Sequence, residues 1–247
     1  MRCAHAKLLL ASWTVGLCLA QRASGESIPI RNPSFEYPVL SACQYTYPSM
    51  PADSDWTSQS LAGLFNPSPC YLTSAASGNQ VIWCNDQGRV KQALTTHVEP
   101  NATYTLRVMV ARRDCCAADR AGIALFAGGV EIASALFSGP QLPEPNVWGP
   151  VTLVATTGPE VNGGLLEVHL FAAVLARGKQ VSFDDVSLNV QRPCAADFNR
   201  DGTGDFFDYL DFAAAFASDD LSADVNLDGV IDFFDYLDFA LAFDIGC

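Results

Sequence analysis

Basic residues are scarce in this chain. Lys and Arg number 14 against 27 Asp and Glu, for a formal net charge of -13. That balance argues against nucleic acid as a partner, because binding to phosphate backbones draws its affinity from basic surface. Histidine is rarer still, with only His97 and His169 beyond the first twenty residues. No His pair stands at metal-ligand spacing, no Cys-x-x-Cys occurs, and neither G-x-S-x-G nor H-E-x-x-H is present. Zinc sites and the common hydrolase motifs therefore lack sequence support. Beyond residue 20 no apolar run approaches the length that a membrane helix needs.

What the chain has is apolar material: 49% of 247 residues, with 17% charged, enough for one medium domain and a smaller unit. At the N-terminus Arg2 and Lys7 precede "LLLASWTVGLCLA", and polar "QRASGES" follows. This stretch is too short to cross a bilayer comfortably and reads as an export signal over 1–20. The mature chain is expected to be secreted, extracellular or cell-surface associated, with no stable membrane span. Seven cysteines remain after the signal, and an exported chain holds such residues as disulfides. Cys194 and Cys247 bracket a small segment and are natural partners. Cys43, Cys70, Cys84, Cys115 and Cys116 cannot be paired from sequence.

The segment between those outer cysteines carries thirteen Asp, no Glu and one base, Arg200. Such a block repels itself unless cations neutralise it. "DFNRDGTGDFFD" at 197–208 and "DVNLDGVIDFFD" at 224–235 both place oxygen donors at positions 1, 3, 5, 7, 9 and 12 with Gly at 6. That is the spacing of an EF-hand calcium loop. The first set is Asp197, Asn199, Asp201, the carbonyl of Thr203, Asp205 and Asp208. The second is Asp224, Asn226, Asp228, the carbonyl of Val230, Asp232 and Asp235. After each loop a helical period follows, Phe206, Leu210, Ala213 and Phe216, then Phe233, Leu237, Ala240 and Phe243, as if two helices pack through these faces. Asp rather than Glu at position 12, in a tandem with one helix per loop, resembles the dockerin type I module over 194–247. The resemblance implies two calcium ions, calcium-dependent folding and a cohesin-like or other surface-protein partner. Phe206, Phe207, Phe233 and Phe234 stand where well-known members carry small hydroxylated recognition residues.

Between Ser27 and Val190 short apolar-alternating runs such as "TYTLRVMVARR" and "WGPVTLVAT" end at Gly, Pro or Asn. The expected fold is mainly β, an antiparallel jelly-roll sandwich over 27–190, followed by a small α-helical module. "IPIRNPSFEYP" at its start and "QVSFDDVSL" at its end resemble the galactose-binding-like jelly rolls that include many carbohydrate-binding modules. That group implies a structural calcium between the first and last strands, held here by Glu36 and one of Asp184 or Asp185, with Asp185 the expected ligand. Sugar stacking needs exposed aromatic faces. Trp56, Tyr45, Tyr47 and Tyr71 lie in loop-like stretches and are the candidates, whereas Trp83 and Trp148 read as core. Asn79, Gln80, Asn85 and Arg89 are candidates for hydrogen bonds to hydroxyls.

The resulting expectation is a secreted, non-catalytic binding protein. Its sandwich engages polysaccharide or glycoconjugate, and its acidic tail docks it to a partner, in polysaccharide degradation. The alternatives are a surface protein with the sandwich as spacer, and a polysaccharide hydrolase or lyase. Exposed stacking aromatics favour the first, clustered acids in a groove the last.

Overall fold

The structure, a computed structural model, describes residues 25–67, 74–158, 160–173, 177–226 and 228–246. The export-signal stretch 1–20, Cys70, Tyr71 and Cys247 lie outside the described residues. By its internal contacts the chain forms two units, Ser24–Pro193 and Cys194–Cys247. Among the described residues no helix is long and apolar enough to cross a membrane.

The larger unit is mainly β. Among the described residues its strands are β1 (Glu26–Ile28), β2 (Thr57–Phe65), β3 (Val81–His97), β4 (Thr103–Arg112), β5 (Arg120–Ala127), β6 (Val130–Ser138), β7 (Gly149–Thr156), β8 (Leu165–Ala172) and β9 (Gln180–Gln191). They pair antiparallel in the order β6-β5-β8-β3-β9-β4-β7, with β1 on β9 and β2 on β3. The edge strand β7, "GPVTLVAT", shows why: Val151, Leu153 and Ala155 face inward while Thr152, Val154 and Thr156 face out, the period of two that a half-covered strand requires. The long β3 serves both halves of the sheet. Residues 82–85 pair with β9, and residues 89–97 pair with β8, with a left-handed kink at Asp86 (φ 54°) between them.

Because β3 turns, the two halves close on one another in the manner of a jelly roll. Ile82, Leu106, Val110 and Phe183 from one half share a single core with Val90, Ile123, Leu166 and Leu170 from the other. Each such side chain contributes about 1.5–3 kcal/mol by leaving water. On β9, Val181 and Phe183 enter this core, yet Gln180, Ser182 and Asp184 on the opposite face are buried as well. Loops cover that outer face, where Phe65, Val81 and Trp83 form a second small cluster with Ala75 and Trp148.

The Cys194–Cys247 unit holds two helices, α1 (Phe206–Ala217) and α2 (Phe233–Ile245). Their contact is aromatic: the rings of Phe212 and Phe239 lie parallel with centroids 4.0 Å apart, and Phe198 meets both edge-on. The inward face therefore differs from the expected one. Phe212 is fully buried while Phe206 is 63% exposed, and the same holds for Phe239 and Phe233. The phase is set by Asp208 and Asp235, which are buried at the first turn because their carboxylates accept backbone N–H groups of the preceding loop. Phe212 and Phe239 follow four residues later on the same face.

Candidate functional site

Period two along β9 sends Gln180, Ser182 and Asp184 to the face away from the core. Register places Ser182 beside Trp83 and Gln180 beside Asn85 of β3, and Asp184 beside Met109 of β4. On this face lies a cleft of about 210 Å³. Its aromatic walls are Tyr45, Tyr47, Phe65 and Trp83, and its polar groups are Asn85, Arg113 and Gln180. The Tyr47 ring lies nearly parallel to Trp83, 10° between planes and 6.1 Å between centroids. The tyrosine segment is fastened to β2 through Thr46, whose N–H donates to the Leu64 carbonyl and whose Oγ1 accepts from the Leu64 N–H, each at 2.9 Å. That approach requires Gly63, since a Cβ there would stand 2.3 Å from the Thr46 carbonyl oxygen.

Arg113 Nη1 donates to Gln180 Oε1 at 3.0 Å, which fixes the cation at the cleft. Two further polar atoms are buried without a hydrogen-bond partner in the protein, Asn85 Oδ1 and Ser182 Oγ. An unsatisfied buried group costs about 1–3 kcal/mol, so a pair of them on one sheet face marks a place suited to a polar ligand atom.

Asp184 is fully buried. Its Oδ2 accepts the N–H groups of Ala76 and Ser77, both at 2.8 Å, and its Oδ1 that of Asp185 at 2.7 Å. Burial pushes its carboxyl up to about 7, against the three N–H donors that pull it down. Glu36 takes up the rest of the same loop through the N–H groups of Asn79 and Gln80. Of the expected acids, then, Asp185 faces solvent and its neighbour Asp184 is the buried one, covered on the outer face by the Ala76–Ser77 loop. Both Glu36 and Asp184 accept N–H donors. Among the described residues no three His, Cys, Asp or Glu side chains are grouped to hold a metal.

The structure sorts the other sequence candidates. Tyr45 and Tyr47 reach the cleft together, Tyr71 lies outside the described residues, and Trp56 is no stacking platform. At 1% exposure it is core, its Nε1 donating to the Arg31 and Asn32 carbonyls and its ring 5.2 Å from Phe35. Trp83, read as core, is buried at 4% exposure with Phe65 and Val81, its Nε1 donating to the Leu64 carbonyl, and it forms the back wall of the cleft. Asn85 is in the cleft; Gln80 instead ties the Phe35 and Pro38 carbonyls. Arg89 belongs to a separate network on the β3–β8 half: its guanidinium covers Phe171 at 4.3 Å and donates to His169 Nδ1 at 3.1 Å. His169 Nε2 faces Glu167, which also pairs with Lys91. Burial holds the His169 imidazole below its usual pKa, and the Lys91 ammonium holds Glu167 low. Arg113 and Gln180 were missed, although "QVSFD" carried the signal of polar residues alternating with core ones.

In the acidic loops Gly202 and Gly229 take left-handed φ of 93° and 85°. Asp197 Oδ2 accepts the Gly202 N–H and Asp224 Oδ2 the Gly229 N–H. Asp205 and Asp232 cap the helices, each paired in a capping box with the acid three residues on. Cys43 and Cys194 each take part in a disulfide; Cys247, expected to pair with Cys194, lies outside the described residues. Cys84, Cys115 and Cys116 are free thiols.

The family model of HpiC1-like proteins, described as HpiC1 cyclase, matches residues 26–189. The chain belongs to the HpiC1-like family. No curated protein matches it. Solved structures with the same fold include an apo cyclase from Fischerella sp., 22% identical, covering 69% of this chain and 98% of that one with a TM-score of 0.59. A second is the Stig cyclase Fisc from Fischerella sp. TAU in complex with (3Z)-3-(1-methyl-2-pyrrolidinylidene)-3H-indole, at 21% identity, 68% and 99% coverage and a TM-score of 0.58. A third, from the same organism, holds 4-(1H-indol-3-yl)butan-2-one (21%, 67% and 98%, 0.57).

These findings overturn the functional expectation drawn from the sequence. Family membership places the chain among cyclases, which are enzymes, and replaces the reading as a dockerin joined to a galactose-binding-like carbohydrate-binding module. The non-catalytic role in polysaccharide degradation falls with it. So do the polysaccharide, glycoconjugate and cohesin-like partners, which belonged to that reading.

Proposed function

We propose that the Ser24–Pro193 unit is a cyclase that closes a ring on a small substrate bearing an indole or similarly flat aromatic group, with Asp184 as proton donor. One observation carries the reading beyond family membership: four residues along the strand from cleft-lining Gln180, behind the cleft wall and not part of it, stands a fully buried carboxyl raised to about 7. An ordinary carboxyl is ionised at neutral pH, whereas this one is partly protonated and able both to give and to take a proton. Protonation of a basic or unsaturated atom makes an electron-poor carbon; a π bond of the same molecule attacks it and closes the ring. The proton then lost from the new ring returns to the Asp184 carboxylate, so the net change is an isomerisation. The exposed ring of Tyr47, backed by Trp83, holds the flat group and stabilises the positive charge, by about 0.5–2 kcal/mol. Asn85 Oδ1 accepts a substrate N–H.

The test is incubation of the full chain with 3-substituted indoles carrying an alkenyl arm. The expected product has unchanged mass and altered retention. Asp184→Asn is expected to lower the rate about 10²-fold or more with circular dichroism unchanged, and Tyr47→Ala to raise KM. A folded chain that isomerises none of these and does not bind 4-(1H-indol-3-yl)butan-2-one overturns the reading.

For the Cys194–Cys247 unit we propose calcium as the ion of both loops, held by the residues at positions 1, 3, 5, 7, 9 and 12 of each. Asp197 Oδ1, buried without a hydrogen-bond partner, supports this, because a carboxylate oxygen so placed suits a hard cation. The export expected from residues 1–20 is likewise a proposal, consistent with the bonded state of Cys43 and Cys194.

A further inference from the structure

Between β4 and β5 the chain makes a single 3-10 turn, Asp114–Cys116, which carries two adjacent free thiols. Their sulfurs stand 2.9 Å apart. Cys115 is exposed and Cys116 half-buried. The turn is anchored at both ends on one residue, Gln180: upstream by the Arg113 guanidinium on its side chain at 3.0 Å, downstream by the Ala118 N–H on its carbonyl at 3.1 Å and the Ala117 bridge. Arg113 and Gln180 are both cleft residues, so the thiol pair sits at the rim of the proposed active site while the chemistry proposed there does not use it.

We propose that Cys115 and Cys116 are a vicinal dithiol site, closing to an intramolecular disulfide by exchange with a small disulfide such as oxidised glutathione. The exposed Cys115 thiolate attacks one glutathione sulfur, forming a mixed disulfide and expelling a glutathione thiolate. The Cys116 thiolate then attacks the Cys115 sulfur, the Cys115–glutathione bond breaks, and a second glutathione leaves. Two protein thiols are oxidised, one disulfide is reduced, and the two S–H protons end on two glutathione molecules. The order follows from access, because the attacking thiol must be reached from solvent. Burial and the Cys115 thiol hold Cys116 above its usual pKa, while the Arg113 and Lys179 charges oppose this; Cys116 thus suits the resolving role, where proximity replaces reactivity. Closure draws the sulfurs to about 2.05 Å and moves the turn that carries Arg113.

The experiment incubates the full chain with oxidised glutathione at mildly alkaline pH, then quenches with acid, alkylates and digests it for peptide mass analysis. The peptide spanning Cys115 and Cys116 is expected to lack two hydrogens and to carry neither alkyl nor glutathione groups. It should regain two alkyl groups after dithiothreitol. Cys116→Ser is expected to retain a glutathione adduct on Cys115. Stable glutathione adducts on the wild-type peptide, or two alkylated cysteines after the full incubation, overturn the proposal. Buried Cys84, alkylated only after unfolding, reports that the fold stayed intact.

Discussion

Asp184 is the residue on which most depends. Its folded carboxyl binds a proton up to about pH 7, whereas in the unfolded chain an Asp does so only to about 3.9. Over that window the folded state binds more protons, so the group's contribution to stability is full in acid and is lost as pH rises towards neutrality. The thermal midpoint is expected to fall between those two pH values, and to fall less in Asp184→Asn. Alternation along "FDDV" shows that only one of the two acids is buried; which one depends on the left-handed φ of 46° at Asp185, a local break that no spacing announces. Trp56 shows the same limit. Its neighbours Asp53, Ser54 and Asp55 read as a loop, yet Phe35, distant in sequence, buries it. Trp56→Ala should cost about 3–5 kcal/mol in denaturant unfolding, a loss that a solvent-facing platform would not show.

Among the elements, β5 and β8 meet where there is no room for a side chain. Phe171 lies across Gly122, and a Cβ there would stand 2.2 Å from its ring. Gly122→Ala is expected to destabilise the unit by about 1–3 kcal/mol and, by displacing the ring beneath Arg89, to raise the acid titration of His169 followed by NMR. The helices invite a paired comparison. Phe212→Ala should lower the stability of the Cys194–Cys247 unit by about 3 kcal/mol or more, while Phe206→Ala should stay within about 0.5. Existence and order of these helices were legible from "FFDYLDFA", written twice. Their phase was not, because an apolar period counted from Phe206 ignores that Asp208 must turn inward to meet its own loop.

At the scale of the molecule, charge is divided as sharply as structure: the acidic unit carries a net -12 of the chain's -13. Chelator is therefore expected to reduce its helical circular dichroism and to leave the β signal of Ser24–Pro193 unchanged, while calcium restores it; full helix in excess chelator would refute the calcium proposal. The fold class was legible because alternation over nine strands is a redundant signal. The cleft was legible in part, through Tyr45, Tyr47 and Asn85. Its kinship was not, since a fold shared at 21–22% identity is held by core volumes and strand order, which short runs such as "NPSFE" and "FDDV" do not encode.

The pairing of β1 with β9 sets Glu26 opposite Val190, and Arg192 pairs with Glu26 and Glu99 just beyond. Entry and exit of the larger unit are thus neighbours across one ladder, about 5 Å apart at the paired residues. Topologically the unit is a loop already nearly closed. A circular permutant that links residue 192 to residue 26 and opens at the Gly128–Gly129 turn keeps every strand neighbour, and the same unit can be spliced into a surface loop of an unrelated host.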